Sequence, residues 1–209
     1  MDVKAHWETV YTRKAPTEVS WFQPHAERSL GLIRLARVTP AARIIDVGGG
    51  ASTLVDDLLA AGYRDVTVLD VAAHALAAAR ERLGARAAEV RWIEADVLTV
   101  GLPRHGYDVW HDRAVFHFLT DPADRQRYVR QVLHAVRPGG IVIVATFAPD
   151  GPERCSGLPV VRYDPQGLHA EFGAPFELIM HEREAHHTPA GAVQQFIYCL
   201  CRKALDDTA

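Results

Sequence analysis

The residues Asp46-Val47-Gly48-Gly49-Gly50-Ala51-Ser52 put an acid and three successive glycines directly behind a short apolar run. Glycines in that place let the backbone close on a ligand with no side chain in the way. Asp70 ends the next apolar run, about 20 residues on, where a carboxylate can hold a ribose diol. The pair therefore points to a ligand that carries a nucleoside. A dinucleotide would ask for G-x-G-x-x-G, and the third glycine position is Thr53 here, so that ligand fits poorly. A second cluster runs Asp108-Val109-Trp110-His111-Asp112-Arg113. His111 or Asp112 can take a proton from a thiol, amine or hydroxyl, or orient it. Arg113 can anchor an anionic group. A third cluster holds Cys155, which can contact an acceptor, and Arg154, Arg162 and Tyr163, which can recognise its polar end. His187, Thr188 and Gln194 can reach the same pocket from the last turn. His117 is open between core and site. No metal site is expected, because neither Cys-x-x-Cys nor His-Glu-x-x-His occurs. Cys199 and Cys201, two apart, share one face of a strand and read as packing.

These groups need a scaffold of alternating strands and helices. Strands are expected at 43–47, 65–70, 90–94, 107–111 and 141–147, the last a continuous apolar run buried on both faces. Ser52-Thr53 can cap a helix that ends at Gly62. Further helices are expected at 72–83 and 122–136, closed by Pro138-Gly139-Gly140. Ahead of them, 25–38 reads as a helix with Leu30, Ile33, Leu35 and Val38 on its apolar side, ended by Pro40. The strand–helix rhythm implies a parallel, doubly wound α/β sheet. Two long strands, 176–184 and 192–202, then form an antiparallel hairpin. A structured insertion at 148–172 lies between, on the substrate side. Residues 1–24 carry Trp7, Tyr11, Trp21, Phe22 and Gln23 and read as a short helix, a loop through Pro16 and an aromatic cluster.

The 209 residues suit a single domain, 1–209. Acids outnumber bases by 26 to 23, which gives no basic excess for nucleic acid. No apolar run approaches the roughly 18 to 20 residues that cross a bilayer. With no secretory leader and an odd cysteine count of 3, the cytoplasm is the expected compartment.

Over nearly all of 25–202 the chain resembles the class I, seven-stranded S-adenosylmethionine-dependent methyltransferases. The resemblance implies a Rossmann-like sheet of order 3-2-1-4-5-7-6 and S-adenosyl-L-methionine as cofactor. It assigns Asp46, Gly48, Gly49 and Gly50 to the loop around the cofactor's amino-acid portion and Asp70 to both ribose hydroxyls. Val71 and the pair Asp96-Val97 would meet the adenine. His111 and Asp112 would lie beside the methyl group and the acceptor. Ser52 departs from the pattern, standing where relatives often have a further glycine. In many relatives the segment before the core folds over the cofactor. By that likeness Trp21 and Gln23 would face it, with Tyr11 close by. A dry, positioned site suits methyl transfer from a sulfonium, whose charge aromatic faces attract.

The expected acceptor is a small molecule, a thiol or another soft nucleophile. Protein lysine methylation is the alternative, and a wide acidic cleft would favour it. The motifs Asn/Asp-Pro-Pro-Tyr and Pro-Cys of nucleic-acid relatives do not occur. A sensor that binds without transfer is a third class, which would form no S-adenosylhomocysteine.

Overall fold

The computed structural model describes residues 2–205. Helix α1 (Val3–Arg13) and helix α2 (Glu27–Leu35) precede strand β1 (Arg43–Val47). Helix α3 (Leu54–Ala60), strand β2 (Asp65–Asp70), helix α4 (Ala73–Leu83) and strand β3 (Val90–Glu94) follow. The second half holds β4 (Tyr107–Arg113), α5 (Pro122–Ala135), β5 (Val136–Phe147), the short pair β6 (Arg154–Cys155) and β7 (Leu158–Pro159), α6 (Pro165–Phe172), β8 (Phe176–His187) and β9 (Val193–Lys203). The main sheet runs β3-β2-β1-β4-β5-β9-β8. With the two short strands of the insertion counted, this is the expected order. β1 to β5 pair in parallel, and β9 is antiparallel to both β5 and β8.

Local chemistry explains the boundaries. Asp121 and Asp164 cap α5 and α6 by accepting from the amides of Ala123 (2.8 Å) and Gly167 (2.6 Å). Each cap is followed by a proline in the first helical turn, where the missing N–H costs nothing. Ser52 Oγ accepts from Leu54 N at 3.1 Å, as expected for the start of α3. Alternation along the central strands divides the core in two. Ile44 and Val109 pack toward α2 and α3, whereas Ile45 and Trp110 pack toward α5 and α6. Cys199 and Cys201 are buried in the second of these cores.

Three expectations are corrected. α2 is shorter than 25–38, and its buried side is Ser29, Leu32 and Ile33, while Leu35 is 60% exposed. Pro138-Gly139-Gly140 lies inside β5, where Gly140 lets the backbone pass Asp108 O closely; it does not form a turn ahead of the strand. β4 extends to Arg113, two residues past its expected end. No helix among the described residues is long and apolar enough to cross a membrane.

Candidate active site

The carboxyl ends of β1, β2 and β4 open into a cavity of about 340 Å³. Its walls include Gly48, Asp70, Val71, Asp96, Val97 and Cys155. A smaller recess of about 40 Å³ adjoins it, lined by Asp46, Gly48, Gly49, Gln23 and His111 among others. Tyr11, Trp21, Gly48 and Arg113 line both.

The glycine loop is a cradle that side chains would fill. A Cβ on Gly49 would fall 2.5 Å from Asp46 Oδ2, and one on Gly50 2.6 Å from Asp70 Oδ2. Gly48 and Gly50 also have positive φ, 67° and 32°, the left-handed region that favours glycine. Asp46 keeps one buried oxygen, Oδ2, without a partner. Asp70 accepts from Ala72 N at 2.8 Å. Burial, with Asp46 nearby as a lesser like charge, pushes its carboxyl up to about 7. An orphaned buried carboxylate oxygen, a second carboxyl at the end of β2 and side-chain-free backbone between them fit an adenosyl amino acid. Its ammonium is a donor of the kind that Asp46 Oδ2 lacks.

The N-terminal segment roofs the cavity. Trp7 packs edge-on against Trp21 (5.7 Å between ring centres) and Phe118 (5.1 Å), and Tyr11 meets Trp21 at 6.1 Å. Two sets of polar contacts hold this roof down. Ala72, at the cap position of α4, offers no side-chain cap. Glu8 of α1 supplies one instead, accepting from the amides of Ala73 (2.7 Å) and His74 (3.2 Å). The following loop is pinned by its carbonyls. Ser20 O accepts from His186 Nε2 (2.7 Å), Trp21 O from Arg113 Nη1 (3.2 Å) and Gln23 O from Thr53 Oγ1 (3.0 Å). Gln23 Nε2 also donates to Glu184 Oε1 at 3.0 Å. Replacing Glu8 by alanine should lower stability by about 1 kcal/mol, the usual worth of a lost cap. Melting should then fall by roughly 2–4 °C, with faster proteolytic cutting between α1 and α2. Unchanged melting and cutting would mean that the cap does not hold the roof.

The expected catalytic pair does not assemble at the cavity. Because β4 remains a strand through Arg113, alternation sends Asp112 to the opposite face of the sheet. There it is 0% exposed, accepting from Val115 N (2.8 Å), Phe116 N (3.1 Å) and the Tyr128 hydroxyl. Burial pushes its carboxyl up to about 6 against the pull of these donors. Asp112 thus holds the turn after β4. His111 does reach the recess, but both ring nitrogens are engaged, Nδ1 with Asp46 Oδ1 (2.7 Å) and Nε2 with Ser29 Oγ (2.8 Å).

The acceptor-side expectations divide likewise. Tyr11 and Cys155 line the main cavity; burial pushes the Cys155 thiol up to about 11, so it stays protonated. Arg113 lines it too, but its guanidinium donates from Nε to the Tyr198 hydroxyl (2.8 Å) and from Nη2 to Glu184 (3.4 Å), over the Phe196 ring. Its charge is therefore answered within the protein, and the arginine acts as a clasp on the roof. Arg162 pairs with Glu153 (3.0 Å) on the outside of the insertion. Tyr163 packs against Phe116 in the core, and His187 lies on an outer groove beside Pro24 and His25. None of these three lines the main cavity. His117 is buried, and burial drives its imidazole down to about 3, so it stays neutral. Glu8, Ser29, Glu184 and Tyr198 were not expected at the site. Only Ser29 left a trace in the sequence, as a polar residue at helical spacing from buried Leu32 and Ile33.

A family model described as a methyltransferase domain matches residues 44–140. An uncharacterized methyltransferase of Mycobacterium tuberculosis is 33% identical over 108 residues, half of this chain and half of that protein. An eEF1A lysine and N-terminal methyltransferase homolog of Drosophila melanogaster is 23% identical over 141 residues, 65% of this chain and 21% of that protein. The chain thus spans half or less of these curated relatives. Among solved structures, one described as conversion of a disulfide bond into a thioacetal group during echinomycin biosynthesis superimposes with a TM-score of 0.77 at 16% identity, covering 98% of this chain and 94% of its own. With the glycine cradle, the acid after β2 and the seven-stranded order in place, residues 44–140 match a methyltransferase domain and the chain has the class I, Rossmann-like fold of S-adenosylmethionine-dependent methyltransferases.

Proposed function

We propose that this protein transfers the methyl group of S-adenosylmethionine to a small-molecule acceptor with a soft nucleophilic atom, a thiol sulfur above all. The observation that carries this reading is the roofed, largely apolar cavity under Trp7, Tyr11, Trp21 and Phe118. The cofactor, when bound, supplies an electrophilic methyl on a sulfonium; as the acceptor bond forms, the bond to sulfur breaks and sulfur keeps the electron pair. The protein's part is to bind, orient and exclude water. Asp70 accepts from the ribose hydroxyls, Val71 and Val97 flank the base, and the indoles of Trp7 and Trp21 present faces that attract positive charge. Asp112 is buried away from the cavity, both ring nitrogens of His111 are engaged, and Cys155 stays a thiol. An acceptor that arrives with its lone pair available, such as a thiolate, suits these walls.

Protein lysine methylation is the second reading. Asp96, Asp121 and Asp124 all line the cavity and would attract a lysine, and the Drosophila relative is named for lysine methylation. Incubating the protein with cell extract and methyl-labelled cofactor separates the two. Label in low-molecular-weight products is expected. Label confined to protein would favour lysine, and no S-adenosylhomocysteine formed over a broad acceptor panel would overturn transfer altogether.

The raised carboxyl of Asp70 gives this reading a pH signature. Ribose hydroxyls donate to the ionised form, so binding must remove the proton that the unliganded protein holds below about 7. Affinity for S-adenosylhomocysteine should be flat above pH 8 and fall roughly tenfold between pH 8 and pH 6. Calorimetry across that range should also register proton release. Affinity that rises toward acid would contradict the assignment.

A further inference from the structure

Asp46 and His111 are register partners across β1 and β4, so the sheet itself brings their side chains together. Ser29, on the inner face of α2, completes a line: Ser29 Oγ to His111 Nε2 at 2.8 Å, and His111 Nδ1 to Asp46 Oδ1 at 2.7 Å. The three are 1%, 2% and 2% exposed, and all border the small recess. This arrangement has the order of a nucleophile triad. Its surroundings do not suit one, because a space of about 40 Å³ beside a helix-bound serine holds a water and not an acyl group.

The Asp46 carboxylate accepts from Nδ1–H of the imidazole, and Nε2 shares a hydrogen bond with the Ser29 hydroxyl. Asp46 Oδ1 is thereby occupied and its side chain fixed. The other oxygen, Oδ2, is buried, has no partner, and lies 2.5 Å from where a Cβ of Gly49 would stand. A fixed, buried, unpartnered carboxyl oxygen beside the glycine loop is a receptor for a positively charged donor.

We propose that Ser29 and His111 are positioning residues. They hold Asp46 so that Oδ2 receives the ammonium of the cofactor's amino-acid portion, and so distinguish aminoacyl-bearing adenosyl thioethers from those without it. This rests on the reading of the cavity as a methyl-donor site. Removing the Ser29 hydroxyl frees the imidazole to turn and lets Asp46 leave its register. The ribose and adenine contacts at Asp70 and Asp96 lie elsewhere and are untouched.

The test compares two ligands by calorimetry on the whole protein. One is S-adenosylhomocysteine; the other is 5′-methylthioadenosine, an adenosyl thioether without the amino-acid portion. Ser29→Ala should lose about fivefold in affinity for the first, the worth of one hydrogen bond, and change less than twofold for the second. His111→Gln should lose more, with the same selectivity, and Asp46→Asn should reproduce it. Equal losses on both ligands, or no loss on S-adenosylhomocysteine, would overturn the proposal by making the line purely structural. Ser29→Ala removes one oxygen from a helix, so it decides the matter even if His111→Gln does not fold. A wild-type protein that binds neither ligand would instead sink the cofactor reading itself.

Discussion

Asp70→Ala should weaken S-adenosylhomocysteine binding by on the order of a hundredfold or more. Two ribose hydroxyls donating to one carboxylate are each worth about 1.5–3 kcal/mol, since bonds to a charged group are the strong ones. Every 1.4 kcal/mol is about tenfold in affinity. The same substitution should disturb the unliganded fold far less. Burial already opposes the charge of this carboxyl, and within the protein it accepts from backbone amides, that of Ala72 at 2.8 Å. Calorimetry and a melting curve without ligand therefore separate binding from folding. Affinity within threefold of the wild type would remove Asp70 from the site, whatever its position at the end of β2.

Asp112→Ala carries the opposite signature. The substitution takes the acceptor from the buried amide of Phe116, the buried Tyr128 hydroxyl and the part-buried amide of Val115. Buried donors without partners cost about 1–3 kcal/mol each. A loss of at least 3 kcal/mol is expected, and with it a fall in melting temperature on the order of 10 °C for a chain of this size. Protein that remains folded should still bind the cofactor. A variant that melts like the wild type but has lost turnover would return Asp112 to the chemistry.

The contrast between these two acids shows what the sequence could and could not tell. Both are carboxylates near the end of a strand, Asp70 closing β2 and Asp112 one residue short of the end of β4. Asp70 was legible because β2 ends there and glycines precede it by one strand, so its neighbourhood follows from the topology alone. Asp112 was misplaced because its surroundings depend on where β4 stops. A strand two residues longer turns a pocket acid into a core acid, since the side-chain period is two. Ends of elements are set by tertiary contacts, here the Tyr128 hydroxyl and the Phe116 turn, which local pattern does not reveal. The roof is a similar case. Its aromatics could be read as a cluster, but Glu8 as a cap for α4 and Glu184 as an anchor for Gln23 join residues 65 and 161 positions apart. Nothing in the spacing of either announces the partner. Arg113 lines the cavity, and its clasp to Tyr198 and Glu184 is invisible to local pattern because those partners lie on the last hairpin.

That hairpin also governs the order of assembly. The loop ahead of α2 is tied to Glu184 and His186, which leave the ribosome more than 150 residues after it. Contacts so distant along the chain form late in folding. β1, β2 and their helices can pair while the roof still hangs open. Sealing of the chamber then waits for β8 and β9 to add to the sheet. In pulse-labelled amide exchange, the amides of residues 15–23 should gain protection only with those of β8, well after β1 and β2, and ligand added during refolding should speed none of the earlier steps.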